Sequence, residues 1–439
     1  MSKPIGVMLA LLAGLAFGAP ASSHGEAFYP PYEGVLVSLR QLSRNSSNIV
    51  QYREIGRSSN QKPIAAVKLS DNASLEEDEP AFLFLGIIHG AEPLGLKITL
   101  KLIQELISSY GENLEVTDWV NAYELWFVPV LNVWGYENRA RKNANGVDLN
   151  RNYDFRWERC SAAGQDCANP LSAFYRGPAP FSEPETRAIR DLILEQRPIF
   201  GITFHAGNPS PSGEVMRPWA TNEIAPPPDS AKLLEVAQNF AMWVKQSRDK
   251  GDFCKSDSPI FDASICAPPL MRALGAYGQS SNWVYAAAGT FDYIVEIAPK
   301  PFNDRFLYTA DPGDDDPSIL LAAEEHVRNY SDAVKQWLRW FLMGKRNGDF
   351  VFRGPGLTGR ISDAATKRPL VATIEVEGFD SPHIQPRTSE PHFGRFYRLL
   401  PPGTHLLKIF KAGYESWTGR VTANSTLLTV LDLALTPMK

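Results

Sequence analysis

Residues 81–110 read AFLFLGIIHGAEPLGLKITLKLIQELISSY, and the architecture of the chain follows from the change of period inside them. Ala81 to Ile88 is a short, continuous apolar run. A strand with one wet face alternates apolar and polar residues, whereas an unbroken run of this length suits a strand covered on both faces. From Pro93 to Tyr110 the pattern becomes helical, with Leu96, Leu100, Ile103 and Leu106-Ile107 on one face. The strand-then-helix unit recurs. Tyr123 to Val130, Ile199 to Phe204 and Tyr293 to Ile297 read as further buried strands, with helices over Glu183–Gln196 and Ala231–Lys245 between them. This alternation predicts an α/β fold: a mixed, mostly parallel sheet with helices on both faces. Ser318 to Lys345 is a long amphipathic helix that closes this first domain, residues 28–348.

A Gly/Pro-rich junction, Arg353-Gly-Pro-Gly-Leu357, separates that pattern from a tail with almost only strand signals. The runs Leu357–Ser362, Ala372–Glu377, Phe396–Leu399, His405–Lys411 and Leu427–Leu435, with Gly, Pro and Asn at the turns, predict a small all-β sandwich over 355–439. At the other end, Lys3 precedes the apolar run Gly6–Ala19, and Ala19-Pro20-Ala21 offers small residues to a signal peptidase. Residues 1–21 are therefore expected to be a signal peptide, and the protein secreted or periplasmic. No later stretch is long and apolar enough to span a membrane. Export favours disulfides among Cys160, Cys167, Cys254 and Cys266, with local pairing the simplest arrangement.

The 439 residues are 44% hydrophobic and 21% charged, ordinary for a globular protein, and carry a net charge of −5. That balance gives no electrostatic footprint for nucleic acid. The chemistry lies at strand ends. His89 and Glu92 leave the first buried strand, and His205 ends the third. Two imidazoles and a carboxylate are a usual catalytic zinc set, and in α/β sheets ligands bind at the carboxyl ends of strands. Between them, RKNANGVDLNRNY (141–153) concentrates Arg141, Asp148, Asn150 and Arg151 around a glycine, as a loop that binds an anion would. Glu296 interrupts the apolar fourth strand, where a carboxylate is costly unless paired or functional. A general base would explain it.

Taken in order, HGAEPLG, GVDLNRNY, TFHAG and VEI resemble the zinc metallocarboxypeptidases related to carboxypeptidase A, over roughly residues 28–345. The tail motifs Gly394–Gly403 (GRFYRLLPPG) and Lys411–Tyr414 resemble the transthyretin-like domain of the carboxypeptidase N, E and D branch. This resemblance implies His89, Glu92 and His205 as ligands of one Zn2+ per chain, with Asp148 orienting His89. It implies Glu296 as the catalytic glutamate and Arg141 as the residue that stabilises the oxyanion. Asn150 and Arg151 would hold the free carboxylate of a peptide. Tyr277 is the nearest candidate for the family's substrate-covering tyrosine, and Ser281 stands at the pocket floor, implying a small or neutral pocket. Arg217-Pro-Trp-Ala220 lacks the acidic residue with which the N, E and D enzymes pair a terminal Lys or Arg. The expected activity is hydrolysis of the C-terminal residue from peptides or proteins, and the sandwich is a surface for another protein. Two alternatives stand beside it: a zinc amidase acting on cell-wall peptides, and a catalytically idle peptide-binding relative.

Overall fold

The computed structural model describes residues 28–159, 166–206, 214–219, 224–247, 277–297 and 317–438. The expected signal peptide, three of the four cysteines (Cys160, Cys254 and Cys266) and Ala220 lie outside them. Cys167 is buried.

The first part contains helices α1 (Tyr32–Asn45), α2 (Leu94–Ser109), α3 (Leu114–Val120), α4 (Val133–Asn138), α5 (Pro184–Gln196), α6 (Ser230–Ser247), α7 (Ser280–Ala288) and α8 (Pro317–Phe341). Its strands are β1 (Val50–Arg57), β2 (Pro63–Leu69), β3 (Ala81–Leu85), β4 (Glu124–Val128), β5 (Phe200–His205), β6 (Glu214–Met216) and β7 (Phe291–Glu296). These form one mixed sheet in the order β1-β2-β4-β3-β5-β7-β6. The pairings β4–β3, β3–β5 and β5–β7 are parallel, while β1–β2, β2–β4 and β7–β6 are antiparallel. The sheet is thus mixed, as expected, with its parallel pairings at the centre. The central strands are the apolar runs of the sequence, buried along their length.

Side-chain alternation shows how the helices cover it. Phe82 of β3 meets Trp337 and Phe341 of α8, and Phe84 stacks on Phe127 of β4, placing these rings on the α8 face. Trp126, one residue earlier, points the other way and lies under Arg53, which is paired with Glu195 of α5. Helices therefore lie on both faces. His205 also points away from α8, because Phe200 and Phe204 on alternate positions face α8 and α2.

After a hairpin, β8 (Leu342–Arg346) and β9 (Asp349–Phe352), come strands β10 (Leu357–Asp363), β11 (Thr373–Val376), β12 (Arg395–Arg398), β13 (Gly403–Phe410), β14 (Trp417–Ala423), β15 (Thr429–Val430) and β16 (Leu433–Leu435). One sheet is β12-β10-β15 with β16 also on β10; the other is β11-β13-β14. Between them Leu357, Ile361, Ile374, Phe396, Leu407 and Ile409 form a core separate from that of the first part. This is the expected small β-sandwich. It docks through Asp78, which accepts from Arg395 Nε at 2.7 Å and Nη2 at 2.6 Å and also pairs with Arg360. Tyr397, Leu399 and Ile384 add apolar contacts to the first core.

Candidate metal and substrate site

β3 ends at Leu85, and the chain then leaves the sheet towards His89. Gly90 follows so close to Gly135 of α4 that a Cβ on Gly90 would lie 1.9 Å from the Gly135 carbonyl carbon. Glycine at position 90 lets the turn carrying His89 rest directly on the α4 backbone. Glu92 closes the same turn through its amide to the His89 carbonyl at 3.0 Å. On the neighbouring strand His205 is the last residue of β5, and its register partner on β7 is Glu296. Parallel pairing of β3, β5 and β7 is what brings residues 113 positions apart in sequence to one point.

There, His89 Nδ1 lies 2.9 Å from Glu92 Oε1, and His205 Nδ1 lies 2.9 Å from Glu92 Oε2. The rings stand edge to face with centroids 4.7 Å apart. All three residues are buried, and one ligand atom from each lies within 4.8 Å of the others. His89 Nε2 meets Asp148 Oδ1 at 2.9 Å. An Nε2–H donated to that carboxylate leaves Nδ1 as the coordinating atom. Burial and Arg141 push the His89 imidazole down, but Glu92 and Asp148 outweigh them and hold it above its ordinary value. Burial acts against the ionised form of Glu92, yet the two histidines hold its carboxyl well below the usual range. Two imidazole nitrogens and one carboxylate, dry and convergent, fit a zinc ion with an open position.

Asp148 joins this cluster to the loop read as an anion binder. It is fully buried and caps the single turn Leu149–Arg151, accepting the Asn150 amide at 3.0 Å. Its Oδ2 accepts from Arg141 Nε at 3.0 Å and Nη2 at 2.8 Å. Arg141 Nη1 reaches within 3.5 Å of Glu92 Oε1. Asn150 lies behind His205, its Nδ2 3.4 Å from Nε2, and its Oδ1 accepts the Ser280 amide and hydroxyl at 3.0 and 3.1 Å. Arg151 is buried and donates to the Asn150 carbonyl at 2.8 Å. The Phe174 ring lies under both guanidinium groups, 5.4 Å from Arg141 and 5.5 Å from Arg151. Neither Ser280 nor Phe174 was legible in the sequence, since each acts through its position beside the loop and belongs to no motif.

Burial pushes the Glu296 carboxyl up to about 7, despite the opposing influence of His205. Both Arg141 and Arg151 lie within its electrostatic reach. Asn132 ties α4 to the Arg141 backbone: its side chain accepts the Gly135 amide at 2.9 Å and donates to the Arg141 carbonyl at 3.1 Å. Ser281 is wholly buried in α7 and its Oγ makes no hydrogen bond among the described residues. Tyr277 is 4% exposed, with the Arg156 guanidinium over its ring. It is packed into the protein body, unlike a phenol free to swing over a substrate.

Comparison with known proteins agrees with this geometry. Residues 35–311 match the zinc carboxypeptidase family Peptidase M14. Human carboxypeptidase D is 23% identical over 408 residues, which is 89% of this chain and 25% of that protein. The chain thus spans about a quarter of the length of that relative. Carboxypeptidase SOL1 of Arabidopsis thaliana is 29% identical over 406 residues, covering 91% of this chain and 70% of that protein. Among solved structures, carboxypeptidase A from Helicoverpa armigera shares the fold with a TM-score of 0.55 and 22% identity, over 70% of this chain and 73% of that one. With the family matched over more than half of its length, this chain belongs to the zinc carboxypeptidases.

Proposed function

We propose that the chain is a zinc-dependent exopeptidase that removes the C-terminal residue from peptides or proteins. The observation that supports this best is the continuity of one buried network. Asp148 touches both His89 of the His-Glu-His set and Arg141, and it caps the turn bearing Asn150 and Arg151. A metal set for hydrolysis thereby sits directly beside a pair of groups suited to a carboxylate.

His89, Glu92 and His205 would hold one Zn2+, which when bound supplies a Lewis acid and lowers the pKa of water towards neutrality. Glu296, half-buried at the end of β7, takes the proton from the attacking water and later delivers it to the leaving amine. Arg141 donates to the oxygen on which negative charge develops. It is held for this by Asp148 and keeps a side chain 30% exposed on the open side. Arg151 and Asn150 grip the terminal carboxylate, and Ser281 belongs to the pocket for the terminal side chain. An internal peptide bond offers no carboxylate to this pair, so the reaction is restricted to chain ends.

We further assign residues 1–21 to a signal peptide and the protein to a secreted or periplasmic location, and favour local disulfide pairing. Residues 28–348 are taken as the catalytic domain and 355–439 as a transthyretin-like domain. Among the described residues no helix is long and apolar enough to cross a membrane. The deciding experiment is hydrolysis of N-blocked dipeptides with free and amidated C-termini. Release from the free forms alone supports an exopeptidase; cleavage of cell-wall peptides in its absence favours an amidase.

A further inference from the structure

One helix connects the sandwich to the carboxylate-binding pair. α7 is 9 residues long, or about 13 Å at 1.5 Å per residue. At its first residue the Ser280 amide and hydroxyl both donate to Asn150 Oδ1. Near its other end the Ala286 carbonyl accepts two hydrogen bonds from the sandwich: the Gln385 amide at 2.8 Å and Arg387 Nη1 at 2.9 Å. The Arg387 guanidinium also lies over the Tyr285 ring, 5.0 Å from its centroid. Tyr285 in turn donates its hydroxyl to Asp229 Oδ2 at 2.7 Å, immediately before α6. Arg387 is buried, and the Arg387 carbonyl is itself fixed by the Ile374 amide of β11 at 2.8 Å. A helix of two and a half turns, gripped at both ends and packed on Tyr153 and Phe181 through Trp283, moves as one body.

We infer that Arg387 is a positioning residue of the exopeptidase: through α7 the β-sandwich sets the place of Asn150, and so the grip on the substrate's terminal carboxylate. Arg387 touches no substrate. Its effect passes through Ala286, the helix and Ser280. A charge-assisted hydrogen bond to a helix carbonyl, backed by cation–π contact, is strong enough to fix the axial position of so short a helix. This rests on the reading of Asn150 and Arg151 as the carboxylate clamp.

The test uses the full zinc-loaded protein and a double-mutant cycle. Wild type, Arg387→Ala, Asn150→Ala and the double variant are compared for kcat, KM and zinc content on an N-blocked dipeptide that the wild type cleaves. Arg387→Ala is expected to raise KM about fivefold with kcat within about twofold and zinc unchanged. In the Asn150→Ala background the same change should cost less than about twofold. Asp78→Asn loosens the same domain junction away from α7 and should leave KM as it is. Equal KM effects of Asp78→Asn and Arg387→Ala, full additivity with Asn150→Ala, or no KM effect would each overturn the inference. Where Arg387→Ala cannot be purified folded, Arg387→Lys keeps the charge but not the planar fork and carries the same comparison. Hydrogen exchange separates this claim from the activity itself. Arg387→Ala should speed exchange across residues 280–286 and Asp78→Asn should not, whether or not any peptide is cleaved; unchanged exchange contradicts the relay.

Discussion

Replacing Asp148 by asparagine removes one charge and changes almost no volume. Four donors converge on its two oxygens: His89 and the Asn150 amide on Oδ1, and Arg141 twice on Oδ2. An amide oxygen can serve only one of these sides. If it faces His89, the new NH2 confronts the Arg141 donors and two charge-assisted bonds are lost. Each is worth about 1.5–3 kcal/mol, but water reaches Arg141 on its exposed side, so about 3 kcal/mol in total is a reasonable loss. That corresponds to roughly a hundredfold in kcat/KM. If the amide is flipped, its NH2 faces His89 Nε2, and the imidazole must move its proton to Nδ1, the atom needed for the metal. Either way zinc affinity should fall about 10–100-fold, as is usual when the carboxylate behind a ligating histidine is lost. Chelator competition measures the affinity, and kcat/KM is taken at saturating zinc. Values within threefold of wild type for both would refute the argument that Asp148 links the two halves of the site.

Glu296→Gln should keep zinc and KM but reduce kcat by about 10²–10⁴, the range of general acid–base catalysis. Because the base must be ionised, wild-type activity should fall as pH drops through the Glu296 pKa, about 7 in the cation-free site and lower beside a cation; a pH–rate profile shows this limb. Arg151→Ala should raise KM about a hundredfold and shrink the preference for free over amidated substrates, read from paired kinetics. Asp292 is buried, its Oδ2 makes no hydrogen bond among the described residues, and burial pushes its carboxyl up to about 8. A carboxyl raised in the fold loses stability as pH rises from its unfolded value near 4 towards 8. Asp292→Asn should therefore be more stable than wild type by about 1–3 kcal/mol at pH 8 and nearly equal at pH 4, as thermal melts at the two pH values would show.

The parallel centre of the sheet was legible because β3, β4, β5 and β7 are covered on both faces and so are predominantly apolar. Their ends were less so. The run through Ile88 leaves the sheet just after Leu85, the Gly86 amide making a last bond to the Val128 carbonyl of β4 at 2.9 Å. The antiparallel strands β1 and β2 carry no such signal. VQYREIGR is half exposed and PIAAVKL contains a buried lysine, Lys68, made tolerable by Glu124. Likewise β14, WTGRVTA, alternates exposed and half-buried residues and offers no apolar run. The long helix stops at Phe341 and passes straight into β8, where Gly344, at φ 110°, sits at a bulge in the β8–β9 pairing. At the site, residues with a chemistry of their own were identifiable, since histidine and carboxylate at strand ends have few other uses. Those that act by placement, such as Ser280, Phe174 and Arg387, appear only once the fold brings them alongside.

The central claim, a zinc site coupled to a carboxylate clamp, is tested most directly by one assay. N-blocked dipeptides ending in Lys, Arg, Phe, Leu, Ala and Glu, each free and amidated, are incubated with the protein before chelation, after it, and after zinc return, and products are identified by mass spectrometry. The account predicts release of the terminal residue from the free forms alone, lost on chelation and restored by zinc. Cleavage of amidated peptides at an equal rate, or turnover that survives complete removal of zinc, would contradict it.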